Sequence, residues 1–171
     1  MKTKAETLKS LFKRLKNAKI LNFFYFTVAE YRLNPDLTIK RIIRANPKED
    51  VFIVRSSALD EDKHSNSNAG KYKSELNVRV SELKNSIEEV IKSYGKRANL
   101  RNQILVQPML KKIGLSGVVF TSPQKNNSPY FVINYSENKN VTSITSGIDS
   151  GKTFYIFHNT KNYPNENLKR L

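Results

Sequence analysis

The chain has 171 residues, of which 38% are hydrophobic and 10% aromatic, and thirty lysines and arginines against fifteen acids give it a net charge of +15. A chain of this size can bury roughly two thirds of its unfolded surface, so the composition predicts one globular domain, or one and a half small ones, and excludes a disordered polymer. The absence of cysteine removes disulfides, thiolate metal sites and cysteine nucleophiles together.

At the N-terminus, Leu8, Leu11, Phe12 and Leu15 fall at helical spacing, which predicts an amphipathic helix over residues 4–18 with its lysines outward. Residues 23–28 are aromatic and β-branched and predict a buried strand, which Asn34-Pro35-Asp36 then breaks. This apolar run is too short to span a bilayer, and the basic N-terminus lacks the apolar stretch of a signal peptide; a cytoplasmic location without a membrane partner is the default expectation. Leu37, Ile39, Ile42 and Ile43 predict a short helix ended by Asn46-Pro47. Residues 51–55 follow as a strand, and Tyr72, Ser74, Leu76 and Val78 alternate as a returning strand. Leu83, Ile87, Val90, Ile91 and Tyr94 restore helical spacing, with Ser81 as N-cap and Gly95 as C-cap. Beyond Gly95 the pattern is mostly strands, over residues 103–107, 115–121, 130–135, 141–146 and 153–158.

The charge is spread along the chain rather than gathered on one face with interleaved aromatics. The basic segments at residues 9–19, 92–101 and 111–112 therefore read as solvated faces, and nucleic acid is not an expected partner. Phosphate-bearing ligands would still be drawn to this field.

The informative stretch is 51–78, where an apolar strand runs directly into Arg55-Ser56-Ser57. Arginine's planar fork and the serine hydroxyls suit phosphate oxygens, and the following polar loop returns through Ala69-Gly70. Taken alone, Arg55 reads first as a strand-end arginine paired with Asp60, Glu61 or Asp62, ahead of a phosphate contact. By the same token Asn68-Ala69-Gly70 is either a loop lying over phosphates or a simple hairpin turn, and Met109 is either a packing surface for a base or part of the core.

Val54-Arg55-Ser56-Ser57-Ala58 with Glu61-Asp62, then Ser67-Asn68-Ala69-Gly70-Lys71-Tyr72 and Leu76-Asn77-Val78, resemble the nucleotide-binding domain of the phosphoenolpyruvate synthase and pyruvate phosphate dikinase family. Ile104-Leu105-Val106-Gln107-Pro108-Met109 resembles that family's strand ending in Gln-x-Met, and Leu115-Ser116-Gly117-Val118-Val119-Phe120-Thr121 its Ser-Gly-Val-x-Phe-Thr strand. The resemblance implies an α+β chain carrying a partial ATP-grasp fold, with mixed or antiparallel sheets and flanking helices, whose family passes phosphoryl groups from ATP to a carrier histidine. It further implies Arg55 for the ATP phosphates, Ser56 and Ser57 as neutral donors, Asn68, Ala69 and Gly70 as a loop over the phosphates, and Gln107 and Met109 at the adenine. Ala18-Lys19-Ile20-Leu21, Tyr130-Phe131-Val132-Ile133-Asn134-Tyr135 and Val141-Thr142-Ser143-Ile144-Thr145-Ser146-Gly147 resemble a branch found with bacterial surface-polysaccharide genes, which includes glutamine kinase.

The sequence departs from that pattern in three places. The family's Gly-Gly-Lys stretch has no counterpart in Lys13-Arg14-Leu15-Lys16-Asn17-Ala18-Lys19, so no lysine is carried over. The late magnesium carboxylates and the Gln-x-Arg segment are missing, as is the carrier histidine; His64 and His158 read as loop or surface residues. The expectation is thus an N-terminal helix-strand-helix segment (1–48), a nucleotide-binding region (49–160) and a polar tail (161–171) where the family would continue. Such a chain would bind ATP, with magnesium ligands, the catalytic groups and the remaining partner part of the enzyme supplied from outside it. A noncatalytic basic module for nucleic acid or another polyanion is the alternative.

Overall fold

A computed structural model of the chain describes residues 2–12, 14–60, 62–63, 66–67, 71–96, 98–123, 126–137 and 151–161. They fall into two units, Met1–Met109 and Leu110–Leu171.

The first unit opens with α1 (Lys4–Leu11), started by a reciprocal cap in which Glu6 N–H donates to Thr3 Oγ1 and Thr3 N–H donates to the Glu6 carboxylate. The helix expected to reach residue 18 ends at Leu11. Its apolar stripe is not buried that far: Phe12 and Leu15 are exposed, and Phe12 turns edge-on to Phe23 at 5.9 Å. Strand β1 (Phe24–Thr27) is shorter than expected, because Val28 begins a helix, α2 (Val28–Leu33), that the strand reading overlooked. Thr27 and Glu30 cap each other there, and the first free N–H groups of the helix, on Val28 and Ala29, donate to the carbonyls of Asn102 and Leu100. Next comes α3 (Pro35–Ala45), with Asn34 accepting from Leu37 N–H and Pro35 preset for the first turn.

Strand β2 (Val51–Ser57) leads through the short pair β3 (Asp62–Lys63) and β4 (Asn66–Ser67) to β5 (Ser74–Arg79). β5 does not alternate as expected. Phe52 pairs with Val78 but Val54 with Glu75, so one extra residue bulges out, and Asn77 sits there at φ 56°. A 3-10 turn, Val80–Glu82, then enters α4 (Leu83–Ser93). Ser81 is therefore not the cap; the junction is closed by Arg79 N–H donating to the Glu82 carboxylate. Gly95, at φ +86°, ends the helix as expected, its N–H donating to the Lys92 carbonyl.

Strand β6 (Gln103–Pro108) completes an antiparallel sheet in the order β1-β6-β2-β5. Side chains alternate across a strand, so register sorts them into two faces. Phe26, Phe52, Val54, Ile104, Val106 and Val78 meet α2, α3 and α4 in a core completed by Val28, Tyr31, Ile42, Leu83, Ile87 and Val90. Burying each such side chain contributes about 1.5–3 kcal/mol. Tyr25, Ile53, Arg55, Ser57, Gln103, Leu105 and Gln107 belong to the opposite face.

The second unit is a meander of β7 (Ser116–Phe120), β8 (Tyr130–Ser136) and β9 (Lys152–Phe157). One face carries Ile133, Tyr135 and Ile156, joined by Leu115, Phe131 and Phe154. The strand expected over 141–146 lies outside the described residues. An α+β chain with antiparallel sheets and flanking helices, as expected from the sequence, is thus what forms.

Candidate functional site

The strand period decides where the expected ligand groups point. Arg55 stands opposite Leu105 in the β2–β6 ladder and Ile53 opposite Gln107, so Arg55, Ile53 and Gln107 share one face on neighbouring strands, two residues apart along β2. All are half-buried. Met109, just past β6, stays in line with them through its N–H, which donates to the Val51 carbonyl at 2.9 Å. Among the described residues no hydrogen bond or ion pair occupies the Arg55 guanidinium. Asp60, one of the acids expected to pair with it, instead accepts the Tyr72 hydroxyl at 2.9 Å and lies 3.4 Å from Lys71 Nζ. Burial works against the Asp60 carboxylate, but the Tyr72 hydroxyl and Lys71 outweigh it and hold the group below its ordinary range.

The two serines are placed differently from Arg55. Ser56 is only 1% exposed and belongs to the helix-packed face. Ser57 returns to the Arg55 face but is fully buried, and its Oγ accepts Ala5 N–H at 3.0 Å. Its own N–H donates to the Tyr94 hydroxyl at 3.1 Å, and that hydroxyl donates in turn to the Gln103 carbonyl. Tyr72 packs edge-on to Tyr94 at 5.1 Å, so the outgoing and returning feet of the polar loop rest on one aromatic pair. Asn68, Ala69, Gly70 and His64 lie outside the described residues.

One cation near this edge was not drawn from the sequence. Lys4, in the first turn of α1, brings Nζ to 3.5 Å from the carbonyl of Ser56, the residue directly after Arg55. The contact joins residues 52 apart in the chain, so spacing could not disclose it. The local cue was the capping box Thr3-Lys4-Ala5-Glu6, which fixes where the helix starts.

In the second unit the Ser-Gly-Val-x-Phe-Thr segment forms β7, with its glycine pressed against β8: a Cβ on Gly117 would stand 2.5 Å from the Asn134 carbonyl oxygen. On the sheet face away from Ile133 and Tyr135, Phe120, Val132 and Tyr155 line up across the three strands. Together with Tyr130, Ser122 and Asn126 they border an open cleft of about 670 Å³. His158 closes off β9: a ring N–H donates to the Thr121 carbonyl at 2.8 Å and the ring packs on Phe131 at 4.4 Å, which is a structural post. Among the described residues no group of three or more His, Asp or Glu side chains could hold a metal ion, and no helix is long and apolar enough to cross a membrane.

The model of one protein family, the AMP/ATP-binding domain of pyruvate phosphate dikinase, matches residues 36–167. No curated protein matches the chain at a significant level.

Proposed function

The chain belongs to the pyruvate phosphate dikinase AMP/ATP-binding domain family, and from that premise we propose that ATP lies along the Arg55 face of the first unit's sheet, its phosphates at Arg55 and Lys4 and its base toward Gln107 and Met109. The observation that carries this reading is the shared face: Arg55 and Gln107 project from adjacent strands with Ile53 between them as an apolar floor. The rigid ladder beneath them spares the ligand the cost of ordering its own contacts. Arg55 offers a planar fork for two phosphoryl oxygens and Lys4 a point charge beside the carbonyl of the next residue, Ser56. Ser56 faces the helices and Ser57, though on the Arg55 face, is buried and tied to Ala5, so their contribution is to hold the strand end rather than to meet the ligand. Asn68, Ala69 and Gly70 are assigned to the phosphates on the family resemblance alone.

The same resemblance, extended through 130–135, supports service in a phosphoenolpyruvate synthase or pyruvate phosphate dikinase-like phosphotransferase, of the glutamine kinase-like branch. Magnesium, which neutralises phosphate oxygens in such transfers, finds no carboxylate cluster among the described residues, and no step is assigned through it.

Calorimetric titration with ATP tests the reading. Charge-assisted hydrogen bonds contribute about 1.5–3 kcal/mol each, so Arg55→Ala should weaken ATP binding roughly 10- to 100-fold. Unchanged affinity in Arg55→Ala, or binding that DNA displaces and that collapses with salt for any polyanion alike, would instead favour a basic polyanion-binding module.

A further inference from the structure

Lys4 is gripped on both sides. The residue before it, Thr3, donates its hydroxyl to Gln103 Oε1 at 2.6 Å, and the residue after it, Ala5, donates its N–H to Ser57 Oγ at 3.0 Å. Ser57 and Gln103 are themselves register partners, the last rung of the β2–β6 ladder. The other end of the Gln103 amide, Nε2, donates to Glu6 Oε1 at 3.1 Å, while Glu6 Oε2 accepts Thr3 N–H at 3.0 Å. The amide is thereby used in both senses, one end accepting and one donating, which fixes its orientation. Thr3, Ala5, Ser57 and Gln103 are all buried.

A helix needing only attachment could dock through apolar side chains, which tolerate sliding and rotation. A buried amide satisfied at both ends tolerates neither, because any shift of α1 leaves polar groups unpaired in a low-dielectric setting. We propose that Gln103 is a positioning residue: by locking the register of α1 on the sheet edge, it places Lys4 beside the carbonyl of Ser56, the residue that follows Arg55, so that two cations address one polyphosphate. The proposal rests on the reading of Arg55 and Lys4 as phosphate contacts.

The test is a double-mutant cycle on ATP affinity, measured by calorimetry with Gln103→Met, Lys4→Met and the double variant in the full chain. Lys4→Met should weaken binding about tenfold, and Gln103→Met several-fold. In the Lys4→Met background Gln103→Met should cost less than about twofold, since the group it positions is gone. Thr3→Val, which removes the hydroxyl reaching Gln103, should behave the same way and serves if Gln103→Met does not fold. Equal losses in both backgrounds, or no loss in either, overturn the positioning role alone. Failure of the unaltered protein to bind ATP overturns the nucleotide reading and this proposal with it.

Discussion

Gly117 offers the sharpest test of the packing, because its environment leaves no slack. A Cβ there would meet the Asn134 carbonyl oxygen at 2.5 Å, the Tyr135 Cβ at 2.9 Å and the Tyr135 Cα at 3.0 Å. None of these is the far end of a flexible side chain; all belong to, or hang directly from, the backbone of β8, and Tyr135 is anchored in the second unit's small core. Relief therefore requires β7 to lift from β8 by several tenths of an ångström, loosening the ladder on either side of the Gly117–Tyr135 pair. Overpacking of this kind costs about 1–3 kcal/mol. In a unit of this size each kcal/mol lowers the melting temperature by roughly 4–8 °C. Gly114 supplies the internal control, since a Cβ there meets nothing within 4 Å. Gly114→Ala should be neutral, or stabilising by up to about 1 kcal/mol through the unfolded chain. The assay is native-state hydrogen exchange of the β7 and β8 amides alongside thermal melting of both variants. If Gly117→Ala retains wild-type protection in those amides, or if Gly114→Ala is the more damaging of the two, the steric argument is wrong.

Tyr94→Phe keeps the ring beside Tyr72 but strips the hydroxyl shared by Ser57 N–H and the Gln103 carbonyl; denaturant unfolding should show a loss of about 1–3 kcal/mol for the abandoned backbone groups. Thr3 N–H, followed by the Gln103 amide, holds the Glu6 carboxyl below its usual range. A lowered folded-state value means that this stabilisation is complete above the unfolded value near 4.5 and is lost as pH falls through the folded one. Glu6→Gln should accordingly flatten the acid limb of a stability-versus-pH curve, and an unaltered limb would refute the coupling. Burial, followed by the nearby Glu88, pushes the Tyr31 hydroxyl up to about 12. Its stabilisation is then complete below 10 and lost as pH rises through 12, so a spectrophotometric titration should show a late-ionising component near 12 that Tyr31→Phe removes.

How far the sequence reaches depends on what kind of information a residue carries. The main strands and the α3 and α4 helices were legible because their apolar residues repeat with the right period over several turns or rungs, whereas α2 was not. Its first residues, Val28 and Ala29, continue the apolar run of β1 without a break, and only the Thr27–Glu30 capping pair marks the change. The returning strand was misjudged at Tyr72 and again at the bulge, since an extra residue shifts every later side chain to the other face and nothing local announces it. At the candidate site, Arg55 was readable as a donor at a strand end. That Ser56 turns away from it is a consequence of the two-residue period already present in the sequence. The place of Lys4 beside Ser56 depends on a tertiary contact across 52 residues, which no local pattern in the sequence discloses.

The family match starts at residue 36, inside α3, yet β1 lies before it and runs antiparallel along β6 from the Phe24–Val106 pair to the Thr27–Gln103 pair. A protein trimmed to the matched stretch would turn β6 into an outer strand, its backbone donors and acceptors bare on one side and its Ile104 and Val106 deprived of Phe26 and Val28. Such a border is a template for copies of the chain to pair with one another. For anyone cutting this protein into pieces, the safe incision is therefore not where a sequence pattern begins but where the last interstrand hydrogen bond has been left intact.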